Sequence, residues 1–210
     1  MKDRAQYIHI EGMDLAGKTT ATKNFTAQTG KEWDVRRNSI TPNNPMYFLA
    51  DTLRKEDTYD AETVGNLYVA ALMGDIRTFT WPEKDTIQDS TILLRSIAFH
   101  AVSGTPRIPE VLQDLAKHHP KFDASFIFTA SIEKRRERLE SRMANEPEQV
   151  SPEDLLVINK PEKFMAMEAA LVDLATKSFR SVIINTTTLT PQEVVKQMFD
   201  NLPVHIKINK

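Results

Sequence analysis

Residues 7–20 decide the fold of this chain and read Tyr7-Ile8-His9-Ile10-Glu11-Gly12-Met13-Asp14-Leu15-Ala16-Gly17-Lys18-Thr19-Thr20. Two glycines, Gly12 and Gly17, bracket four residues and are followed directly by Lys18 and Thr19. This spacing is the P-loop pattern, in which a strand leads through a glycine-rich turn into the N-terminus of a helix. The apolar run before Gly12 can form the strand, and the proline-free run after Gly17 can start the helix. The pattern predicts a site for the phosphates of a nucleotide.

Each part of this turn has a physical role in binding phosphate. The glycines can adopt backbone angles denied to other residues, so neighbouring N–H groups can turn inward toward phosphate oxygens. The dipole of the following helix adds positive potential at the same place. Lys18 can then reach the β- and γ-phosphates, and the Thr19 hydroxyl can ligate Mg²⁺. We therefore predict that ATP or GTP binds with Mg²⁺, at Gly12, Asp14, Ala16, Gly17, Lys18, Thr19 and Thr20.

The composition excludes several classes of protein. With 210 residues and 40% hydrophobic content, the chain can bury one substantial core as a single domain. A net charge of -2 and a pI near 6.2 argue against a nucleic-acid partner or an anionic membrane surface. The chain has no cysteine, which excludes disulfides and thiolate metal sites. No apolar signal segment or membrane span is visible, so we expect a cytoplasmic protein.

Strand and helix patterns alternate along the rest of the chain. After the P-loop we expect strands near residues 33–38, 86–89, 122–129 and 180–185, and helices near 46–53, 61–79, 92–102, 108–118, 132–143, 162–176 and 191–201. Charged or polar loops are expected at 55–60 and 144–154. Such alternation predicts an α/β fold with three layers, in which helices flank a parallel sheet on both faces.

Four stretches resemble the thymidylate kinases and related P-loop nucleoside and nucleotide kinases: residues 8–20, 89–100, 126–142 and 182–194. The resemblance is tight only in the P-loop. It implies that Asp14 contacts the sugar 3′-hydroxyl of the bound nucleotide, although a turn residue is the alternative. It also implies a homodimer.

The resemblance assigns arginines to the acceptor side of the site. Arg36 or Arg37, at the end of the second strand, would grip the acceptor phosphate, and Arg77 would be a second contact. The family's Arg-Glu-Pro-Gly is here Arg37-Asn38-Ser39-Ile40, so this match is loose. Tyr68 or Met73 could stack on a base or belong to the core.

Asp89 resembles the acid of the family's Asp-Arg-Tyr motif, which lies beside Mg²⁺ and the attacking oxygen. Here the sequence continues with Ser90, so the adjacent arginine is missing. Arg95, in the helix that follows, could replace its charge or could be exposed. The pair Phe99-His100 resembles the family's aromatic-Gln pair that meets the base, and a helix-surface histidine is the alternative.

The basic run Arg135-Arg136-Glu137-Arg138-Leu139-Glu140-Ser141-Arg142 resembles the start of a kinase lid, expected at about residues 135–155. Arg138 and Arg142 are four residues apart and share a helix face. The alternative is a surface helix with internal salt bridges. The resemblance favours lid arginines because Leu15 occupies a P-loop position where some family members have a catalytic arginine.

These observations lead to an expected function: phosphoryl transfer from ATP, with Mg²⁺, to a nucleoside monophosphate, with thymidylate (dTMP) the first guess. Lys18, Asp89, Arg138 and Arg142 would be catalytic, Thr19 and Asp89 would hold the metal, and Arg36, Arg37, Arg77, Arg95, Phe99 and His100 would bind the acceptor with Asp14. A kinase that phosphorylates a hydroxyl group is the alternative. Less favoured are a catalytically degraded nucleotide-binding protein and a GTPase-like switch, to which only Asn159-Lys160-Pro161-Glu162 bears a resemblance.

Overall fold

The computed structural model describes residues 4–204 and 206. Within this range the chain forms five strands, β1 to β5, at Tyr7–Glu11, Asp34–Arg37, Thr86–Asp89, Ala124–Thr129 and Val182–Asn185. Nine α-helices, α1 to α9, occupy Lys18–Thr29, Pro45–Glu56, Ala61–Thr78, Ile92–His100, Arg107–Ala116, Ile132–Asn145, Leu156–Asn159, Pro161–Phe179 and Pro191–Asp200. The predicted α/β alternation is confirmed.

The five strands form one parallel sheet in the order β2-β3-β1-β4-β5. The central strand β1 pairs with β3 and β4, so Ile10 lies opposite Asp89 on one side and Phe126 on the other. On the next strand, Arg37 lies opposite Asp89. In a parallel sheet all carboxyl ends meet at one edge, and ligands commonly bind there. The register therefore brings the P-loop, Asp89 and Arg37 to the same edge.

Helices cover both faces of the sheet, as the sequence predicted. On one face, Ile8, Ile10 and Phe128 pack with apolar residues of α1 and α9. On the other face, Ile127 packs with a larger group from α3, α4, α5 and α8. Strand side chains alternate between these two cores, so β1 is buried along its whole length.

Local sequence signals fix where several helices begin. Asn44 caps α2 by accepting hydrogen bonds from the N–H groups of Met46 and Tyr47, and Pro45 is the first helical residue. Thr91 caps α4 through the N–H of Leu94. Both helices form walls of the site described below.

The segment between α6 and α8 is more ordered than the expected polar loop. It contains a 3-10 turn at Pro147–Gln149 and the short helix α7, and Asp154 is buried. No helix among the described residues is long and apolar enough to cross a membrane.

Candidate active site

The P-loop takes the strained backbone path that its glycines allow. Gly12 has a φ of 148°, and a Cβ atom placed there would lie 2.3 Å from the carbonyl oxygen of Phe128. Gly17 has a φ of 93° at the start of α1. Only glycine fits the first of these positions, because the clash is with backbone that cannot move aside. The loop is therefore held tightly against the end of β4.

Glu11 anchors the P-loop to the turn after β3. This fully buried carboxylate accepts hydrogen bonds from the N–H of Gly12 at 3.0 Å, the hydroxyl of Ser90 at 2.8 Å and the N–H of Thr91 at 3.0 Å. Burial raises the pKa of Glu11, and nearby Arg95 and Lys18 oppose that rise. The serine that replaces the expected arginine after Asp89 therefore has a structural hydrogen bond of its own.

A cleft of about 310 Å³ lies over the P-loop. Lys18 lies in its wall and donates through Nζ to the carbonyl oxygens of Gly12 at 2.5 Å and Met13 at 3.3 Å. Burial lowers the pKa of Lys18, and nearby carboxylates oppose that change. We call this space the phosphate cleft; its lining includes Asp14, Leu15, Ala16, Gly17, Thr19, Thr20, Arg37, Asn38, Asp89, Ser90, Arg95 and Arg142.

A second cavity, also of about 310 Å³, lies between α2, α3 and α4. This volume is at the lower end of the range of roughly 300–1,000 Å³ that small-molecule sites have. We call it the acceptor cavity. Its lining combines aromatic, apolar and charged side chains: Met13, Asp14, Asn38, Tyr47, Asp51, Arg54, Tyr68, Ile92, Arg95, Ser96, Ala98, Phe99, His100, Ser151, Glu153 and Met167.

Three residues, Asp14, Asn38 and Arg95, line both cavities and so mark where they meet. Arg95 Nη2 lies 3.2 Å from Asp14 Oδ2. Burial alone would raise the pKa of Asp14, but Arg95 and Lys18 outweigh it and lower the pKa. Arg95 Nη1 is buried and donates to no acceptor in the described part of the chain. The junction therefore carries the positive charge of the Arg95 guanidinium group.

The far end of the acceptor cavity is bridged by ion pairs. Arg54 on α2 pairs with Asp51 at 3.2 Å and with Glu153 at 2.5 Å. Burial would lower the pKa of Arg54, but Glu153 and Asp51 outweigh it and raise the pKa. Tyr68 donates to Asp51 at 3.4 Å. The bridge joins α2 to the segment that follows α6.

Three arginines of α6 have different environments. Arg135 is fully buried, donates to the carbonyl oxygens of Asp14 and Ala130, and pairs with Glu168. Arg138 donates to the carbonyl oxygen of Leu15 at 2.7 Å and to Thr186. Arg142 lines the phosphate cleft and lies 3.0 Å from Asp154. Of the three, Arg142 is thus the one that lines the phosphate cleft.

The structure brings together many, but not all, of the residues expected at the site. The phosphate cleft collects the P-loop residues 14–20 with Arg37, Asp89, Arg95 and Arg142, and Gly12 shapes the loop beneath it. Phe99 and His100 line the acceptor cavity, as does Tyr68. The His100 ring is nearly buried and hydrogen-bonds Thr105 at 2.8 Å, and burial lowers its pKa to about 4, so it is neutral at pH 7.

Besides Gly12, four of the expected residues line neither cavity: Arg36, Arg77, Met73 and Arg138. Arg36 precedes Arg37 in β2, so its side chain points to the other face of the sheet, where it pairs with Asp34 at 3.0 Å. Arg77 and Met73 are exposed on α3. Arg138 has its donors occupied by the backbone of the P-loop and by Thr186, so its contacts position the loop.

Sequence reasoning missed Glu11, Asn38, Tyr47, Asp51, Arg54 and Glu153. A signal existed for Glu11, because an acid at the end of an otherwise apolar central strand must be paired when it is buried. For Asp51 and Arg54, the signal was their spacing of three residues on one face of α2. No sequence pattern indicated that Glu153 would reach α2.

The residues of the phosphate cleft fit a nucleoside triphosphate and Mg²⁺. The P-loop residues from Asp14 to Thr20 line the phosphate cleft, and the Lys18 ammonium group supplies a positive charge there. Thr19 and Asp89 both line the phosphate cleft and offer oxygen ligands. Mg²⁺ at phosphate sites usually takes one or two protein oxygens and completes its octahedron with phosphates and water. No group of three or more His, Asp or Glu side chains is arranged to hold a metal among the described residues, and this mode of binding needs none.

Comparison with known proteins supports the fold. No protein-family model and no curated protein sequence matches the chain. Among solved structures, thymidylate kinase from Candida albicans is similar with a TM-score of 0.65 at 14% identity, over 94% of this chain and 90% of that one. Thymidylate kinase from Ehrlichia chaffeensis is similar with a TM-score of 0.60 at 15% identity, over 94% and 98%. The expected resemblance is thereby confirmed at the level of structure: this chain has a thymidylate kinase-like α/β fold.

Proposed function

We propose that this protein is a kinase that transfers the γ-phosphoryl group of ATP, with Mg²⁺, to a nucleoside monophosphate. The observation that carries the proposal is the pair of cavities that meet at Asp14, Asn38 and Arg95. A transferase needs two adjacent sites that open onto one reacting centre, because holding both substrates in line supplies much of the rate enhancement. A GTPase-like switch needs only the first of them.

The cations at the junction favour a phosphate-bearing acceptor. The Arg95 side chain lines both cavities at the place where they join. Arg37 reaches into the phosphate cleft, lies 3.6 Å from Asp89, and has a side chain that is 71% exposed and so can reorient. A guanidinium group can bind a phosphate through two parallel hydrogen bonds. Arg95 would thus supply the positive charge of the family's arginine, whose position in the sequence Ser90 occupies here.

Four other residues that line the phosphate cleft have roles in this proposal. Lys18 leaves the carbonyl oxygens of its own loop to bind the transferring phosphate, and Arg142 approaches it from α6. Thr19 and Asp89 would hold Mg²⁺, which neutralises charge on the phosphates. The acceptor's phosphate oxygen is the nucleophile, so the site needs no strong base. The helix from residue 132 to 145 is anchored by buried Arg135, so we place the moving lid at about 146–155.

The first acceptor to test is dTMP, because both similar structures are named thymidylate kinases. A panel of monophosphates and their nucleosides, assayed with ATP and Mg²⁺ for ADP release, should show turnover with a monophosphate and little with the matching nucleoside. Turnover with no panel member would overturn the proposal. Assembly as a homodimer is a further expectation of the resemblance, and a cytoplasmic location is an expectation of the sequence composition. Sedimentation of the purified protein measures its assembly.

A kinase for hydroxyl acceptors is the second candidate, and one observation favours it. The acceptor cavity is lined by three carboxylates, those of Asp14, Asp51 and Glu153, but by two guanidinium groups, those of Arg54 and Arg95. This balance suits an uncharged nucleoside better than a dianion. Asp89 would then accept the proton of the hydroxyl group. A nucleoside that outperforms its monophosphate in the panel would select this candidate.

A further inference from the structure

The place where the two cavities meet sets the orientation of an acceptor. Asp14, Asn38 and Arg95 line both cavities, so in the proposed reaction the acceptor's phosphate group lies beside them. Arg54 and Glu153 line the acceptor cavity but not the phosphate cleft. The base of a bound monophosphate is therefore directed toward Arg54 and Glu153, which we call the polar end of the acceptor cavity.

Aromatic side chains form walls between the junction and the polar end. Tyr47, Tyr68 and Phe99 all line the acceptor cavity, and the ring centroids of the two tyrosines are 6.2 Å apart. Stacking on aromatic rings holds every base in a similar way, because every base has a π-face. The walls thus contribute affinity without selecting a base, and selection depends on hydrogen bonds to the edge of the base.

The polar end has hydrogen-bonding capacity left for a ligand. Glu153 pairs with Arg54 through Oε1 at 2.5 Å, and its Oε2 atom has no partner among the described residues. The side chains of Arg54 and Glu153 are 34% and 32% exposed, so both can be reached from the cavity. Asp51 is more fully engaged, since Arg54 pairs with its Oδ1 and Lys55 with its Oδ2. The polar end therefore offers a carboxylate oxygen beside a guanidinium group.

The bases differ in how their edges fit this combination. A carboxylate has only hydrogen-bond acceptors, and a guanidinium group has only donors. Thymine has one N–H between two carbonyl oxygens, so a carboxylate that accepts from this N–H must direct its second oxygen at a carbonyl oxygen. In guanine the amino group and the ring N–H are adjacent donors that fit both oxygens of a carboxylate. In cytosine the amino group is a donor beside two acceptors, which fit the fork of a guanidinium group.

We propose that the acceptor's base carries an exocyclic amino group, which donates to Glu153 while Arg54 donates to the neighbouring nitrogen or oxygen of the base. Guanine and cytosine share this chemistry, and thymine lacks the amino group. Glu153 and Arg54 are then the residues that determine specificity for the base. The inference rests on the proposed function, because the transfer of phosphate sets the orientation of the acceptor.

Two matched pairs of acceptors test the inference on the unmodified protein. The monophosphates of 5-methyldeoxycytidine and thymidine have the same sugar and the same methyl group, and they differ at the edge where one has an amino group. The monophosphates of guanosine and inosine differ only by the amino group. With ATP and Mg²⁺, the amino-bearing member of at least one pair should have a kcat/KM that is higher by about 10-fold or more.

A variant then tests whether Glu153 reads the amino group. Glu153→Gln keeps the size of the side chain but replaces one acceptor oxygen with a donor, so the ratio of kcat/KM within the preferred pair should fall to near one. A general disturbance of the structure would lower both members of the pair and leave their ratio unchanged. Glu148→Gln is the matched control, because Glu148 is exposed and lines neither cavity. It should keep the wild-type ratio.

The outcomes separate this inference from the proposed function. If monophosphates are phosphorylated but neither pair shows a preference for its amino-bearing member, the kinase stands and the inference is overturned. A wild-type preference that Glu153→Gln leaves unchanged also overturns it. If no monophosphate is phosphorylated, the proposed function fails and this inference fails with it. A preference that is lost in Glu153→Gln and kept in Glu148→Gln supports the inference.

Discussion

Arg95→Gln tests how the acceptor's phosphate is held. Arg95 lines both cavities where they join, and its Nη2 atom pairs with Asp14 at 3.2 Å. A bound monophosphate would be a second partner for this guanidinium group, and a charge-assisted hydrogen bond contributes roughly 1.5–3 kcal/mol. Its loss should lower kcat/KM for the monophosphate by about 10- to 150-fold.

The assay compares a monophosphate with its nucleoside, using ADP release at saturating ATP. The nucleoside has no phosphate to lose contact with, so its kcat/KM should change far less. Arg95→Lys keeps the charge but not the planar fork, and should fall between the wild type and Arg95→Gln. Arg107→Gln, an exposed arginine at the start of α5, is the control. An equal loss for both acceptors, or no loss for the monophosphate, would refute this role.

Three further predictions concern stability, measured as the free energy of unfolding in urea. Gly12→Ala should destabilise the protein by roughly 3 kcal/mol or more, because the new Cβ would lie 2.3 Å from the backbone oxygen of Phe128. An unchanged urea midpoint of unfolding would contradict this. Arg135→Leu should cost about 3–5 kcal/mol, since it leaves the partly buried Glu168 carboxylate and two carbonyl oxygens without their partner. A loss no larger than that of an exposed arginine variant would refute it. Burial lowers the pKa of His9 to about 3 in the folded protein. Between pH 6.5 and 4, His9 therefore binds a proton in the unfolded state but not in the folded state, and acidification should lower the free energy of unfolding. For this one group the loss is about 1.4 kcal/mol per pH unit. His9→Gln should remove this part of the dependence of the unfolding free energy on pH, whereas His118→Gln, at an exposed position, should not. The same pH dependence in both variants would contradict the role given to His9.

The P-loop and the sheet could be predicted from the sequence because their signals are local. The spacing of Gly12 and Gly17 specifies a turn that other residues cannot adopt, and alternating apolar patterns specify strands and helices. Parallel strands then place their carboxyl ends together. This reasoning was enough to bring Asp89 to the P-loop, where the structure also has it.

The direction of individual side chains could not be predicted from these signals. Arg36 and Arg37 are neighbours in sequence but lie on opposite faces of β2, and the register with β3 decides which one meets Asp89. Arg135 is a charged residue of a kind usually found at the surface, yet it is buried because Glu168 of α8 and the carbonyl oxygens of Asp14 and Ala130 accept its hydrogen bonds. Such pairings join residues far apart in the chain, so they depend on the packing of the whole fold.

The contacts of the segment between α6 and α8 could not be predicted from local sequence signals either. A polar, glutamate-rich stretch of the chain predicts a loop, and nothing local indicates that Glu153 meets Arg54 on another helix. The buried Asp154 could have been suspected only from its partner Arg142, which precedes it by twelve residues.

The most direct test of the two-site account follows the label from γ-labelled ATP in the presence of Mg²⁺ and the selected acceptor. If the protein is such a kinase, the label should appear in a nucleoside diphosphate and not in free phosphate, and Lys18→Ala should lower this transfer by about 100-fold or more while the protein stays folded. Label that passes only to water, or transfer that Lys18→Ala leaves at the wild-type rate, would contradict it.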